Sequence, residues 1–130
     1  NRADGLAFDV LNKLNKKSFI LSSETNPVVR KRADKLKVLA IQGVKNKTIA
    51  IKKLANDNDF DLEKTFYVGN DLNDYNVMKA CGFSACPANS HHKIKRISTF
   101  ILKVKGGDGV IRNLLEDVFK IDFIQILFNS

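Results

Sequence analysis

A dense group of oxygen-bearing side chains follows the apolar run Phe66–Val68. Two carboxylates and two carboxamides stand directly after Gly69, namely Asn70, Asp71, Asn73 and Asp74. Carboxylate and carboxamide oxygens are hard ligands of the kind that Mg²⁺ prefers. Because Asp71 and Asp74 are three residues apart, a helix that begins near Asp71 would place them on a similar face. A helix cap would explain only one of these carboxylates, so the run predicts a metal or phosphate site.

A hydroxyl and an ammonium stand at the ends of two other segments. Ser22 closes the apolar run "SFILS", with Ser23 directly after it, and Lys47 follows a polar loop. A hydroxyl and an ammonium can hold a phosphate, and a metal beside a phosphate indicates phosphoryl chemistry. Taken alone, Ser22 is explained as a strand-end hydroxyl, and Lys47 is better explained as a solvated lysine.

Short apolar runs alternate with segments of helical period along the whole chain. The expected strands are "SFILS", "VLAIQ", "TFYVG", "FSAC" and "TFILKV". The expected helices are 4–16, 27–36 after Asn26, 47–56 after Asn46, 72–80 before Gly82 as its C′ residue, "HHKIKRI" and 110–120. Strands separated by helices predict a doubly wound, Rossmann-type α/β fold with a parallel sheet. Ligands of such sheets bind beyond the carboxyl ends of the strands, so we expect the polar loops to share one crevice.

Length and composition narrow the class of protein. With 130 residues, the chain predicts one domain, 1–130, with an unusually apolar tail at 121–130. No run is long enough for a transmembrane helix, and the start resembles no signal peptide. Cys81 and Cys86 show no metal-ligand spacing, which favours reduced thiols and a cytoplasmic protein. The net charge of +8 is spread along the chain without an aromatic-interleaved basic block, which does not favour a nucleic-acid partner.

Four segments, in this order and spacing, resemble a known family. They are "ILSSE", "QGVKNK", "FYVGNDLNDYNVMKACGFSACPANSH" and "GGDGVIRNLLED". The sequence resembles the haloacid dehalogenase (HAD) superfamily, most closely the phosphatases of sugar-acid phosphates such as 3-deoxy-manno-octulosonate 8-phosphate. It is also similar to the C-terminal module of N-acylneuraminate cytidylyltransferases, the CMP-sialic acid synthetases. The resemblance covers nearly the whole chain and implies a Mg²⁺ cofactor and a small phosphorylated sugar acid as substrate.

The resemblance implies a role for each matching residue. Ser22 would bind the transferring phosphoryl group, and Lys47 would neutralise its charge. Asn70 occupies the position of a Mg²⁺-ligating aspartate and Asp71 lies beside the metal, while Asp74 would support the metal shell or Lys47. The remaining matches face the substrate, and they are Ser23, Gly106 and Gly107.

Two departures from the family pattern matter. The sequence has no "DxDG" on a strand, although the family's nucleophile and general acid stand there, so the domain is expected to be N-terminally incomplete and inactive in this form. It lacks the family's first central strand and flap, and the chain, which has no starting Met, looks cut from a longer one. The inner sheet edges left by that loss need a partner. The candidates are an upstream segment of the parent chain, another copy in a homo-oligomer (dimer or tetramer), or the apolar tail Ile121–Phe128.

Asn70 is the second departure, since a neutral ligand compensates a cation less than a carboxylate does. Two hypotheses follow from these observations. The first is a Mg²⁺-dependent phosphatase domain for a sialic-acid or Kdo type of sugar-acid phosphate. The alternative is a degenerate, non-catalytic module of a CMP-sialic acid synthetase that serves oligomerisation. A nucleic-acid-binding domain would rest on net charge alone.

Overall fold

The computed structural model describes residues 2–129, so Asn1 and Ser130, the ends of the predicted 1–130 domain, lie outside the described residues. Contacts group the chain into two compact units. The first unit runs to Val44 and resumes at Gly107, and the second spans Lys45–Gly106. The single domain stays a prediction.

Helices and strands alternate along the chain, as the pattern predicted. The helices are α1 (Arg2–Lys13), α2 (Pro27–Leu36), α3 (Lys47–Asn58), α4 (Tyr75–Ala80), α5 (His92–Ile97), α6 (Val110–Asn113) and α7 (Phe123–Phe128). The strands are β1 (Phe19–Leu21), β2 (Leu39–Ile41), β3 (Phe66–Val68), β4 (Phe83–Cys86) and β5 (Phe100–Ile101). Two 3₁₀ turns at Leu62–Lys64 and Leu72–Asp74 and a π-helical turn at Leu114–Val118 complete the set.

All the strand pairings are parallel, which confirms the α/β class. In the first unit β1 pairs with β2, and Phe19 stands opposite Leu39. In the second unit the order is β3-β4-β5, with Tyr67 opposite Ser84. The five expected strands are present but shorter, and "TFILKV" contributes only Phe100–Ile101. The missing central strand stays a prediction.

The apolar tail has a different conformation from the one that would fill a sheet gap. Its residues form α7, and Phe123 is buried in one cluster with Ala7 and Val10 of α1 and with Leu115. Ile121, Ile126 and Leu127 pack against the same cluster. Of the three candidates for filling the gap, the tail does not supply a strand, because Phe123–Phe128 is helical and some of its apolar side chains pack in the cluster with α1, while Ile124 and Phe128 stay exposed.

A buried apolar cluster packs against β3 and β4 in the second unit. It consists of Met78, Cys86 and Ile94, and the rings of Tyr67 and Tyr75 pack against it. Cys81 is also buried, as expected, and burial raises the pKa of its thiol to about 11. A cluster made from α4, β4 and α5 fixes the loops that leave the carboxyl ends of the strands.

Helix boundaries follow the predicted caps, with three corrections. The side chains of Asn26 and Asn46 accept hydrogen bonds from Val28 and Ile49 at the starts of α2 and α3. The predicted helix 72–80 is a 3₁₀ turn followed by α4, and 110–120 is α6 followed by a π-helical turn. Gly82 is the C′ residue after the C-cap Cys81, as predicted, but it lies outside the left-handed region. Its importance is steric, because a Cβ there would clash with the backbone of Glu63.

None of the helices in residues 2–129 is both long and apolar enough to cross a membrane.

Candidate functional site

The turn after β3 folds a carboxylate back beneath the loop. The N–H of Gly69 donates to the carbonyl of Ala85 at 3.1 Å, which continues the pairing of β3 with β4. A Cβ at Gly69 would lie 2.7 Å from the Cβ of Asp74 and 2.8 Å from the Sδ of Met78. Only glycine therefore lets the backbone come so close to the Asp74 side chain.

The backbone of the loop binds one oxygen of that carboxylate. Oδ2 of Asp74 accepts hydrogen bonds from the N–H groups of Asn70 (3.0 Å) and Asp71 (3.4 Å). Asp71 caps the 3₁₀ turn in return, with Oδ1 accepting from Leu72 at 2.7 Å. The two acids form a reciprocal capping box. Capping therefore accounts for both carboxylates, and the expectation that a cap would explain only one of them is wrong. The metal or phosphate site stays a prediction.

The other oxygen of Asp74 binds two side chains. Oδ1 accepts from the Nζ of Lys47 at 2.9 Å and from the hydroxyl of Tyr67 at 2.8 Å. Asp74 is only 4% exposed. Four donors therefore surround a buried carboxylate, and two of them come from side chains far from it in sequence.

Electrostatics favour the ionised carboxylate in this setting. Burial alone would raise the pKa of Asp74, but the hydrogen bonds from Lys47, the Asn70 backbone and Tyr67 outweigh it and hold the pKa below its usual value. Burial, followed by the charge of Asp74, raises the pKa of the Tyr67 hydroxyl. The neutral hydroxyl of Tyr67 and the ammonium of Lys47 thus both donate to the carboxylate of Asp74.

Lys47 owes its position to the start of α3. It is the first residue of that helix, directly after the cap Asn46, whose Oδ1 accepts from Ile49 at 3.1 Å. Helices α3 and α4 contact each other, which places the side chain of Lys47 beside Asp74. The pairing that the family resemblance suggested, with Asp74 supporting Lys47, is present in the structure.

Loops from neighbouring strands meet the same turn. The N–H of His91 donates to the carbonyl of Asn70 at 3.2 Å, which joins the loop after β4 to the loop after β3. The N–H of Gly106 donates to Oδ1 of Asn89 at 2.8 Å. The expected meeting of strand-end loops therefore holds within the second unit. His91 itself caps α5, as expected of a helix-start residue.

Three predicted site residues lie in the first unit. Ser22 follows β1, and its Oγ accepts from the N–H of Glu24 at 3.0 Å in a tight turn. Ser23 is exposed, and Gly107 has a φ of 88°. Their participation in a site with Lys47 stays a prediction.

Tyr67 joins the candidate site although the sequence pattern does not point to it. The apolar run predicts only a strand residue at this position, whereas its hydroxyl donates to the carboxylate of Asp74. A signal was available, because a tyrosine in a buried strand needs a partner for its hydroxyl. Because Tyr67 stands two residues before Gly69, the acidic loop that follows is the nearest place for that partner.

Two side chains at this turn have oxygens that could bind the Mg²⁺ that the family resemblance implies. The carboxylate of Asp74 already accepts four hydrogen bonds. The remaining oxygens that could bind the metal ion are those of the Asp71 carboxylate and the Asn70 side chain. Mg²⁺ commonly takes one or two carboxylates and completes its shell with water and phosphate, and this set fits that pattern. Groups of three or more acidic, histidine or cysteine side chains able to hold a metal are absent from the described residues.

Parallel strands flanked by helices, with a buried lysine–carboxylate pair at the turn after β3, define an α/β protein of the class whose ligands bind beyond the carboxyl ends of the strands. The family model described as haloacid dehalogenase-like hydrolase matches residues 9–114. The chain belongs to this family, as its motifs indicated.

Solved structures give the same result. The phosphatase of 3-deoxy-D-manno-octulosonate 8-phosphate from Moraxella catarrhalis, in complex with magnesium, phosphate and KDO, is 27% identical with a TM-score of 0.86. The alignment covers 91% of this chain and 68% of that one. The cobalt-bound phosphatase from Haemophilus influenzae is 25% identical with a TM-score of 0.87, and the alignment covers 100% of this chain and 77% of that one.

Curated relatives include phosphatases of two substrates. Phosphoglycolate phosphatase from Methanosarcina mazei is 29% identical over 89 residues, which are 68% of this chain and 39% of that protein. The 3-deoxy-D-manno-octulosonate 8-phosphate phosphatase of Escherichia coli K12 is 32% identical over 75 residues, or 58% of this chain and 40% of that protein. The chain thus spans less than half the length of these two relatives.

Proposed function

We propose that this chain is part of a Mg²⁺-dependent phosphatase that hydrolyses a phosphorylated sugar acid. The observation that carries the proposal is the buried pair of Lys47 and Asp74 at 2.9 Å, held by the turn that also carries Asn70 and Asp71. A fixed ammonium at a turn that also bears hard oxygen ligands suits a phosphate monoester. The relatives whose names include 3-deoxy-D-manno-octulosonate 8-phosphate supply the substrate class.

The chain's own residues divide the work as follows. Lys47 offers a positive charge to the phosphoryl oxygens, and Asp74 fixes the direction of that charge. Asp71 and Asn70 would hold the metal ion, which when bound would neutralise developing charge on the phosphoryl group. The hydroxyl of Ser22 would donate to a phosphoryl oxygen. The attacking aspartate that the family resemblance implies has no match in this sequence, so we expect the 130-residue chain alone to be inactive.

The test compares the full natural protein with the 130-residue chain. Phosphate release is measured from 3-deoxy-manno-octulosonate 8-phosphate, N-acylneuraminate 9-phosphate and phosphoglycolate, each with Mg²⁺ or with EDTA. We expect release by the full protein from a sugar-acid phosphate, with Mg²⁺ only. A folded full protein that releases no phosphate from any of the three contradicts the proposal.

A non-catalytic role is the second candidate, and Asn70 is the observation that favours it. A neutral residue at a metal-ligand position weakens Mg²⁺ binding. In the segment "GGDGVIRNLLED", the family resemblance also implies that Asp108 replaces the arginine of a "GGRG" loop. The chain would then serve oligomerisation, as in a degenerate module of a cytidylyltransferase. Light scattering and a phosphatase assay on the full protein decide. A dimer or tetramer that releases no phosphate and dissociates when residues 1–130 are deleted supports this role, and phosphate release by the full protein excludes it.

A further inference from the structure

The hydroxyl of Tyr67 is the part of the site that the proposed chemistry has not used. It donates to Oδ1 of Asp74 at 2.8 Å, and the same oxygen accepts from Lys47 at 2.9 Å. Tyr67 lies on β3 in register with Ser84 of β4. A side chain on a paired strand is held more rigidly than one on a loop. The hydroxyl of Tyr67 is therefore a rigidly placed donor to the carboxylate of Asp74.

The hydrogen bonds of Asp74 show the effect of the Tyr67 hydroxyl on this carboxylate. A carboxylate offers about four acceptor sites, and four donors occupy them. The backbone N–H groups of Asn70 and Asp71 hold Oδ2, whereas Oδ1 is held by Tyr67 and Lys47. Lysine is a point charge on a flexible stem. If the Tyr67 hydroxyl were lost, Oδ1 would be tied only to that flexible group.

Packing alone does not account for a tyrosine at this position. The ring of Tyr67 packs against the cluster of Met78, Cys86 and Ile94, and a phenylalanine ring would fill the same space. The hydroxyl adds no apolar contact, and its contact is with the carboxylate that directs Lys47. The two parts of the Tyr67 side chain thus make different contacts: the ring packs in the core, and the hydroxyl binds the carboxylate of Asp74.

We propose that Tyr67 is a positioning residue, which orients the ammonium of Lys47 toward a bound phosphoryl group by fixing the Asp74 carboxylate. The kinetic part of this proposal rests on the proposed phosphatase function. The geometric part, that the Tyr67 hydroxyl restrains Lys47, is independent of any activity. The experiment measures the two parts separately.

The test uses Tyr67→Phe in the full natural protein, with Tyr75→Phe as the matched control. Tyr75 is the chain's other tyrosine and packs against the same cluster. The first readout is the NMR signal of the Lys47 ammonium in protein with isotope-labelled lysine. We expect Tyr67→Phe to increase its mobility and its proton exchange with water, and Tyr75→Phe to leave both unchanged.

The second readout is a kinetic double-mutant cycle with Lys47→Met. We expect Tyr67→Phe to lower kcat about tenfold with little change in KM, the loss typical of one hydrogen bond to a charged group. The same substitution should have no further effect in Lys47→Met protein. Para-aminophenylalanine at position 67 restores a donor and should restore both readouts.

Unchanged mobility of Lys47 in Tyr67→Phe protein overturns the proposal, and so does an equal loss of kcat in the Lys47→Met background. If the protein proves inactive, the ammonium signal still decides the geometric part, so that failure of the phosphatase function is not mistaken for failure of this inference. If Tyr67→Phe protein proves unstable, the para-aminophenylalanine variant decides by the same signal, because a mobile Lys47 in its presence excludes positioning by a donor.

Discussion

The ammonium of Lys47 lies 2.9 Å from Oδ1 of Asp74, and their side chains are only 12% and 6% exposed. A second pair in the same unit, Lys53 and Asp57, has a similar separation of 3.1 Å but side chains that are 79% and 52% exposed. The two pairs differ mainly in burial. Exposed pairs contribute little to stability, whereas removal of one partner from a buried pair is costly.

The substitution Asp74→Asn should therefore destabilise the protein strongly. It leaves Lys47 without its counter-charge, and we expect the free energy of unfolding to fall by about 3 kcal/mol. Urea unfolding measures the change. Asp57→Asn is the matched control and should change stability by less than about 0.5 kcal/mol. Equal effects of the two substitutions would show that the buried pair is not formed in solution.

Gly69→Ala should disturb the turn that holds Asp74. The new Cβ would meet Asp74 at 2.7 Å and Met78 at 2.8 Å, and overpacking of this kind costs about 1–3 kcal/mol. Gly5→Ala is the control, because nothing lies within 4 Å of its Cβ on α1, and it should stabilise the helix by up to about 1 kcal/mol. Thermal unfolding compares the two, and a Gly69→Ala protein as stable as wild type would refute the close approach.

Asp4→Ala should weaken the first unit. Oδ1 of Asp4 on α1 accepts from the N–H groups of Ile111 (2.9 Å) and Arg112 (3.1 Å) at the start of α6. Loss of a cap costs about 1–2 kcal/mol. Asp9→Ala on the exposed side of the same helix is the control. Similar unfolding midpoints for the two variants would argue against this contact between α1 and α6.

Alkaline pH should destabilise the protein through Tyr67. Burial, and then the charge of Asp74, raises its pKa in the folded chain above the ordinary value of 10.0. A group with a raised folded pKa contributes stability that is complete below its unfolded pKa and is lost as the pH rises above it. We expect the free energy of unfolding to fall more steeply above pH 10 in wild type than in Tyr67→Phe protein. Parallel pH curves for the two proteins would contradict the raised pKa.

Local patterns were sufficient for most of the fold, whereas the roles of the predicted site residues stay predictions. Asn26 and Asn46 predicted the starts of their helices because a cap contacts only residues a few positions away. The glycine-and-acid run Gly69–Asp74 predicted its loop for the same reason. The apolar tail was harder, since apolarity predicts burial but does not decide between strand and helix. Tyr67 was missed because its hydroxyl partner is set by the fold of the loop.

The most direct test of the proposed function is phosphate release by the full natural protein from 3-deoxy-manno-octulosonate 8-phosphate with Mg²⁺. We predict release by wild type, a loss of about a hundredfold or more in Lys47→Met, as expected when a fixed charge at a transition state is removed, and no loss in the exposed control Lys53→Met. Wild-type rates in Lys47→Met protein, or no release by folded wild type, would contradict the assignment of Lys47 to a phosphoryl site.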